Sequence, residues 1–152
     1  MTDVVNKATR SRMMAGIKGK NTVPELVLRQ AMHKCGFRFR LHVKQLPGQP
    51  DLLFSKYKAA VFVHGCFWHR HRNCRYATTP ATRTEFWQAK FAANVARDRI
   101  SMTALINNGW RVAIIWECSL RGSVGIQETA EALSNWLLSD SFQLELGDAK
   151  VL

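Results

Sequence analysis

Residues 61–74 read VFVHGCFWHRHRNC and combine the end of an apolar run with a dense group of metal-binding and aromatic side chains. Val61, Phe62 and Val63 predict the end of a buried strand, and Gly65 then lets the backbone turn freely. The stretch contains three of the five histidines and two of the four cysteines of the chain. A hydrophobic core does not need that mixture, so we expect the chemistry of the chain to lie in the loop after this strand.

Cysteine and histidine spacing in this loop predicts a zinc site. Cys66, His71 and Cys74 supply three ligands, and tetrahedral zinc needs four. Cys118 is the candidate for the fourth, because it follows the apolar run 112–116 and the ends of neighbouring strands often lie side by side. The alternative is that these are unconnected thiols in a reducing cytosol.

Length and composition predict one domain. A chain of 152 residues with 47% hydrophobic content can bury one core. We expect a single domain over residues 1–140 with a basic N-terminal arm at 1–20, and a loose acidic tail at 141–152. The sequence shows no leader and no membrane-spanning run, so we expect a cytoplasmic, monomeric protein without a membrane partner.

The charge of the chain predicts a polyanionic partner. The formal net charge of the chain is +11. The last 31 residues contain one basic and five acidic side chains, so the positive charge is concentrated in residues 1–121. Such an excess is typical of nucleic-acid binding. A merely soluble basic protein is the alternative, and a lipid surface is disfavoured because the charges do not follow one face of a long amphipathic helix.

Turn signals and hydrophobic periodicity predict the order α-β-β-β-α-β-α, an α/β (α+β) mixed sheet flanked by helices. Capping-box patterns at Thr22–Glu25 and at Thr82–Glu85 predict the starts of the first two helices. In the second helical region the apolar residues lose their regular helical spacing near Asn94. This irregularity predicts two helices, or one helix with a break. The predicted helices span 23–35, 82–108 and 126–138, and the predicted strands span 37–43, 51–54, 59–64 and 110–116.

Asp51 is a second candidate for metal chemistry. It follows the turn PGQP and opens a strand that a short hairpin joins to the strand ending at His64. The hairpin therefore places a carboxylate near an imidazole, and magnesium prefers carboxylates, water and phosphate oxygens. An ordinary turn aspartate is the alternative.

Five motifs together resemble the very-short-patch-repair (Vsr) mismatch endonuclease family. They are KATRSRMM at 7–14, PGQPD at 47–51, FVHGCFWHRH at 62–71, ATRTEFWQAK at 81–90 and GWRVAIIWECSLRG at 109–122. The resemblance covers residues 1 to about 122. It implies a restriction-endonuclease-like fold and an enzyme that nicks DNA on the 5′ side of a thymine mispaired with guanine, the product of 5-methylcytosine deamination.

The resemblance also implies catalytic roles. Asp51 and the backbone carbonyl of Val63 would hold the catalytic magnesium. Members of the family have threonine in place of Val63, but a carbonyl ligand does not depend on the side chain. His69 would act as general base, His64 would assist at the phosphate, and Glu25 would reach the metal site through water.

Structural and DNA-binding roles follow from the same resemblance. The structural zinc would be bound by Cys66, His71, Cys74 and Cys118. The base stack would be entered by Met14, Phe67 and Trp68, and the mismatched pair would be faced by Lys90 and Asn94. The implied partners are double-stranded DNA with a T:G mismatch and downstream repair proteins. Two alternatives are a nuclease of this fold that cuts unmismatched or otherwise marked DNA, and a non-catalytic zinc-containing DNA-binding protein.

Overall fold

The computed structural model describes residues 21–147 of the chain, so the predicted arm at 1–20, including Met14, lies outside the described residues. The described part contains three helices and one five-stranded sheet. In chain order the elements are α1 (Val23–Lys34), β1 (Arg40–Leu41), β2 (Leu52–Phe54), β3 (Ala59–His64), α2 (Thr84–Asn107), β4 (Arg111–Trp116), α3 (Gly122–Leu137) and β5 (Gln143–Leu146), with short 3-10 turns at Ser55–Tyr57 and Glu117–Leu120.

The sheet is mixed, as predicted, and its spatial order follows the chain from β1 to β5. β1, β2 and β3 pair antiparallel, whereas β3, β4 and β5 pair parallel. The β3–β4 register runs from Ala59 opposite Arg111 to His64 opposite Trp116. Because parallel strands end at the same edge of a sheet, the segments after His64 and after Trp116 leave the sheet side by side.

Both faces of the sheet are buried, and consecutive residues of β3 point to opposite faces. Ala59 and Val61 face α1 and α3, and Ala60 and Phe62 face α2 and the loop after β3. Burial on both faces explains why β3 reads as a continuous apolar run instead of an alternating one. The first face contains Leu28, Met32, Leu52, Phe54, Ala113, Ile115, Leu133, Trp136 and Leu137, and the second contains Leu53, Cys66, Cys74, Leu105, Val112, Ile114, Trp116 and Cys118.

The structure confirms the first helix but not the details of either capping box. Thr22 is the N-cap of α1 without a side-chain capping bond, and Glu25 instead accepts from the backbone N–H of Asn21. α2 begins after Arg83, which has a left-handed φ of 53° and no capping bond. The expected break near Asn94 is wrong, because α2 is one continuous helix of 24 residues.

The drifting pattern of α2 has a physical cause. Only Phe91 and Leu105 of this helix are buried, and they lie nearly four turns apart. Between them the helix faces a cavity, to which it contributes the polar side chains of Asn94, Asp98 and Ser101. The polar residues that interrupt the apolar stripe therefore line a cavity and do not break the helix.

The predicted strand at 37–43 is too long, because only Arg40 and Leu41 pair with β2. His42 ends it with a left-handed φ of 46°. Phe37 and Phe39 still pack against Phe54, with ring centroids 6.1 and 5.5 Å apart. Apolar and basic residues alternate in FRFRLHV at 37–43, and this alternation reflects the packing of the two rings and not a hydrogen-bonded ladder.

The expected loose tail at 141–152 is wrong for the part that the structure describes. Gln143–Leu146 forms β5, which pairs in parallel with β4 from Val112 to Ile115. Leu144 and Leu146 pack against the α1/α3 face. The remaining residues, 148–152, lie outside the described part.

α3 also begins at Gly122, four residues before the predicted start.

Candidate active site and metal centre

A cavity of about 1030 Å³ lies between the N-terminus of α1, the β2–β3 hairpin, the loop after β3 and the middle of α2. It brings together nine of the residues singled out in the sequence, although they come from four separate segments. These nine lining residues are Glu25, Asp51, Val63, His64, Phe67, Trp68, His69, Lys90 and Asn94.

Asp51 lies at the start of β2 and is held by the hairpin. Its Oδ2 accepts a 2.7 Å hydrogen bond from the backbone N–H of Val63, as antiparallel pairing of β2 and β3 allows. The pKa of Asp51 is raised to about 7, mainly by burial and also by the charge of Glu25, although the bond from Val63 lowers it. A carboxylate in this position therefore gains from a nearby cation.

Glu25 is buried on the first turn of α1 and is fixed by two basic side chains. Its Oε2 accepts from Arg29 Nη2 at 3.0 Å and lies 2.9 Å from His42 Nε2. The same nitrogen of His42 lies 4.0 Å from Oδ1 of Asp51. Three side chains therefore meet here, those of Glu25, His42 and Asp51. Each offers one ligand atom, and these atoms lie within 4.8 Å of one another, a geometry that could hold a metal ion.

Neither His42 nor Arg29 was anticipated from the sequence. Arg29 is four residues after Glu25 on a predicted helix, and that spacing is a usable signal of an ion pair. His42 lies within the predicted strand 37–43, and the spacing of the residues around it gives no sign of its left-handed backbone. Such backbone conformations in residues other than glycine often occur at functional sites.

Two histidines and an aspartate form the opposite wall of the cavity. The rings of His64 and His69 are stacked, with centroids 3.9 Å apart and planes within 5°. His69 Nδ1 lies 2.5 Å from Asp98 Oδ2. Burial, and then the charge of His69, lowers the pKa of His64 to about 3, so His64 is neutral at physiological pH.

Asp98 was also missed in the sequence, although a signal for it exists. Lys90, Asn94 and Asp98 are four residues apart, so they follow one face of α2. The first two were expected to face DNA, and the third lies on the same side of the helix and contacts His69.

The four predicted zinc ligands meet in one buried cluster. Cys66, His71, Cys74 and Cys118 can each offer a ligand atom within 4.8 Å of the others. His71 Nδ1 lies 3.7 Å from Cys66 Sγ and 3.4 Å from Cys118 Sγ. In a tetrahedral zinc site with ordinary bond lengths, sulfur and nitrogen lie about 3.6 Å apart, so these atoms fit zinc.

The protonation states of the cluster also suit a metal ion. Burial raises the pKa of the Cys66 thiol and lowers the pKa of His71. A neutral imidazole is what a metal ion requires, and the buried thiols need a cation to ionise. Glu117 braces the same loop, because its Oε1 accepts a 3.1 Å bond from the backbone N–H of Cys66.

β5 closes the outer side of this cluster. The ring of Trp116 stacks on His71 at 4.3 Å, and its indole N–H donates to Glu145 at 2.8 Å. A Cβ atom on Gly147 would lie 2.6 Å from Cε1 of His71, so only glycine fits there without movement. The segment expected to be a loose tail therefore packs directly against a candidate metal ligand.

An aromatic group lies at the rim of the cavity, between Cys66 and α2. Phe67 and Trp68 are half-buried, and their rings are nearly perpendicular, at 88°. Phe67 packs edge-on against Trp87 and Phe91 of α2 at 5.6 and 5.1 Å. Asn94 donates to the backbone carbonyl of Trp68 at 3.2 Å, which connects this pair to the middle of α2.

Within residues 21–147, none of the helices has the length and apolar content needed to span a bilayer.

Comparison with known proteins agrees with these features. Residues 2–75 match the family model described as DNA mismatch endonuclease Vsr. The DNA mismatch endonuclease Vsr of Escherichia coli (strain K12) is 41% identical over 148 residues, which is 96% of this chain and 94% of that enzyme. The type II nicking enzyme V.XorIIP of Xanthomonas oryzae pv. oryzae is 46% identical over 120 residues, 79% of this chain and 88% of that enzyme. The type II nicking enzyme V.NmeAIP of Neisseria meningitidis serogroup A is 38% identical over 133 residues, 88% of this chain and 94% of that enzyme. On this similarity along nearly its whole length, the chain belongs to the Vsr family of DNA mismatch endonucleases.

Proposed function

We propose that this chain nicks one DNA strand 5′ to the thymine of a T:G mismatch left by deamination of 5-methylcytosine, with magnesium as catalytic ion and zinc as structural ion. As a member of the Vsr family, it is a DNA endonuclease. The observation that carries the finer proposal is one cavity that joins a buried carboxylate, a carboxylate-bound histidine and a rim of aromatic rings.

Magnesium suits the carboxylate wall of the cavity. Asp51 would hold it together with the carbonyl of Val63, and Glu25 would reach it through water. These are all oxygen ligands, which magnesium prefers. Two buried carboxylates at one wall also repel each other, and the raised pKa of Asp51 reflects part of that cost. When bound, magnesium supplies positive charge to the phosphate and to the departing oxygen.

His69 is the best-placed general base. With Nδ1 bonded to Asp98, the other ring nitrogen can accept a proton from the attacking water, and the Asp98 carboxylate stabilises the imidazolium that forms. His64 stays neutral, so it can hydrogen-bond the phosphate without adding a second charge beside His69. The restriction-endonuclease-like fold is part of this proposal, and the hairpin that presents Asp51 and His64 on one side of a mixed sheet supports it.

Zinc would be held by Cys66, His71, Cys74 and Cys118. Its proposed role is to fix the loop after β3 against the end of β4. Phe67, Trp68 and His69 all lie between the proposed ligands Cys66 and His71, so one closed site would fix the backbone segment that carries the aromatic residues and the general base.

Recognition would combine charge with deformation of the base stack. The net charge of +11 favours binding along the DNA backbone. Phe67 and Trp68, with Met14 of the arm, would enter the stack, where a mismatch lowers the cost of separating bases. Lys90 and Asn94 line the same cavity and would face the mismatched pair.

A nicking assay on two matched duplexes tests the proposal. One duplex contains a single T:G pair within a recognition sequence of a cytosine-5 methyltransferase, and the other has C:G in place of that pair. We expect a magnesium-dependent nick 5′ to the thymine on the first duplex only. Equal cleavage of both would instead indicate a nuclease for unmismatched DNA, and no cleavage of any duplex would indicate a non-catalytic DNA-binding protein.

Three variants separate binding from chemistry in this assay. Asp51→Ala is expected to abolish nicking and to keep mismatch binding, because the basic body and the aromatic rings do not need magnesium. Trp68→Ala is expected to narrow the affinity gap between mismatched and paired DNA. Asp140→Ala, at an exposed carboxylate outside the cavity, is the control and should behave as wild type.

A further inference from the structure

Arg70 lies inside the candidate zinc loop and makes more side-chain hydrogen bonds than a DNA-facing arginine needs. Its Nη1 donates to the backbone carbonyls of Phe67 and Thr78 at 3.1 and 2.9 Å. Its Nη2 donates to the carbonyl of Ala77 and to Oγ1 of Thr79, both at 3.1 Å. One guanidinium thus joins the aromatic segment of the loop to residues 77–79.

The flat face of the same guanidinium covers an aromatic ring. Its central carbon lies 4.0 Å from the centroid of Phe91 on α2, and 5.7 Å from that of Phe67. Arg70 is half-buried and has a left-handed φ of 56°. It therefore connects the loop, residues 77–79 and α2, and its backbone is held in a conformation that few residues adopt without support.

The zinc ligands alone do not fix the aromatic side chains between them. Backbone bonds from His69 to Gly65 and from His71 to Cys66 close the loop, but they leave the carbonyl of Phe67 for Arg70. The direction of the Phe67 ring is set by its contacts with α2 and by the bond to its carbonyl. Arg70 contributes to both constraints.

We propose that Arg70 is a positioning residue for mismatch discrimination, which holds the Phe67–Trp68 pair in the orientation needed to enter the base stack. The proposal rests on the proposed function, because it assumes that these rings separate bases. A preorganised pair loses little conformational freedom on insertion, so the difference in stacking energy between mismatched and paired DNA appears fully in the affinity. A loosely held pair would insert poorly at the mismatch, whereas binding to paired DNA, which depends on backbone charge and not on insertion, would stay the same.

Arginine suits this role better than lysine would. Its planar fork donates in two directions in one plane while its face stays available for stacking. Lysine keeps the charge but presents one nitrogen with three donors, so it cannot bond the three carbonyls and Thr79 Oγ1 and also cover Phe91. The substitution Arg70→Lys therefore removes the positioning and keeps the charge.

The test measures equilibrium binding, without magnesium, to a T:G duplex and to the paired duplex, for wild type, Arg70→Lys and Arg72→Lys. Arg72 is an exposed arginine of the same loop and serves as the matched control. We expect Arg70→Lys to lower the ratio of the two affinities by about tenfold, the effect of one lost charge-assisted contact. Arg72→Lys should leave the ratio unchanged. A fluorescent base analogue beside the mismatch should report weaker unstacking with Arg70→Lys only.

The salt dependence separates positioning from phosphate binding. If Arg70 contacted phosphate, its replacement by alanine would weaken binding to both duplexes alike and would lower the slope of affinity against salt by about one ion. The positioning role instead leaves the slope and the affinity for paired DNA unchanged. Zinc content and unfolding temperature are measured in parallel. These two measurements distinguish unfolding of the loop from a change in the orientation of the Phe67–Trp68 pair.

Two further variants keep the outcome decisive. Thr79→Val removes one exposed acceptor of the Arg70 guanidinium and should lower the ratio about threefold to fivefold, so it replaces Arg70→Lys if that variant does not fold. If wild type discriminates and Trp68→Ala loses discrimination, an unchanged ratio in Arg70→Lys or in Thr79→Val overturns the positioning role alone. If wild type binds both duplexes equally, the proposed function fails, and the positioning role fails with it.

Discussion

Replacing Asp51 by asparagine is expected to stabilise the protein while it abolishes nicking. The Asp51 side chain is only 19% exposed, and burial raises its pKa from 3.8 to about 7. The folded chain thus carries a carboxylate that would be more stable in water. Asparagine has nearly the same shape, keeps an oxygen that can accept from the N–H of Val63, and has no charge to bury.

The size of the effect follows from the two pKa values. Their difference of about 3 units, at about 1.4 kcal/mol for each unit, corresponds to about 4 kcal/mol of unfolding free energy lost when Asp51 ionises. The bond from Val63 favours the ionised form, and the pKa of about 7 already includes that effect. We therefore expect Asp51→Asn to be more stable than wild type by about 4 kcal/mol above pH 7.

The dependence on pH has a definite sign. Because the pKa is higher in the folded chain, the unfolded chain releases the proton first as pH rises. The penalty is absent below pH 3.8, grows from there, and is complete above pH 7. Between pH 8 and pH 5.5 the advantage of Asp51→Asn should therefore shrink by about 2 kcal/mol.

Urea unfolding at pH 8 and pH 5.5, in zinc-loaded protein without magnesium, measures both quantities. Glu131→Gln, at an exposed carboxylate of α3, is the control and should match wild type at both pH values. Added magnesium should stabilise wild type and not Asp51→Asn, because an ion that binds only the folded state raises its stability. If Asp51→Asn is no more stable than wild type at pH 8, or if its advantage is the same at both pH values, the burial penalty assigned to Asp51 is refuted.

Three further outcomes are expected. Cys118→Ser should lower the zinc content from one ion per chain, and it should reduce both the unfolding temperature and the affinity for DNA. Elemental analysis and calorimetry measure the first two quantities. Wild-type protein that is active without zinc would contradict this prediction. His69→Ala should slow single-turnover nicking by roughly 10²–10⁴-fold and remove the rise of the rate with pH. Asp98→Asn should slow nicking by a smaller factor. An unchanged pH profile in His69→Ala would assign the role of general base to another group. Gly147→Ala, whose new Cβ would lie 2.6 Å from His71, should release zinc to a chelator faster than wild type, and equal release rates would show that β5 does not hold the imidazole.

Much of the site could be predicted from local sequence. The run that forms β3 and the loop after it are continuous in the chain, so their ligands and aromatic residues were already neighbours. The hairpin joining Asp51 to β3 is short, and the turn residues before Asp51 predict it. Cys118 was expected beside this loop because the ends of neighbouring strands often lie side by side, and the parallel register that puts His64 opposite Trp116 shows that these two ends do.

Other features depend on contacts between distant segments that no local pattern specifies. His42 meets Glu25 because its backbone turns to a left-handed conformation after two strand residues, where alternation predicted a longer strand. Asp98 meets His69 because α2 packs across the loop after β3. Arg70 resembles any basic loop residue until the loop folds back and presents carbonyls to it.

Local sequence is enough to specify the candidate metal ligands, the aromatic pair, the basic character and the central strands, because these depend on side-chain chemistry and on pairing over short distances. The tertiary structure alone decided that residues 143–146 form an edge strand against β4, that polar residues of α2 line a cavity, and that Gly147 packs against His71. The physical reason is that a short strand such as QLEL has little intrinsic preference and gains stability only when β4 offers a paired edge and the core offers room for Leu144 and Leu146.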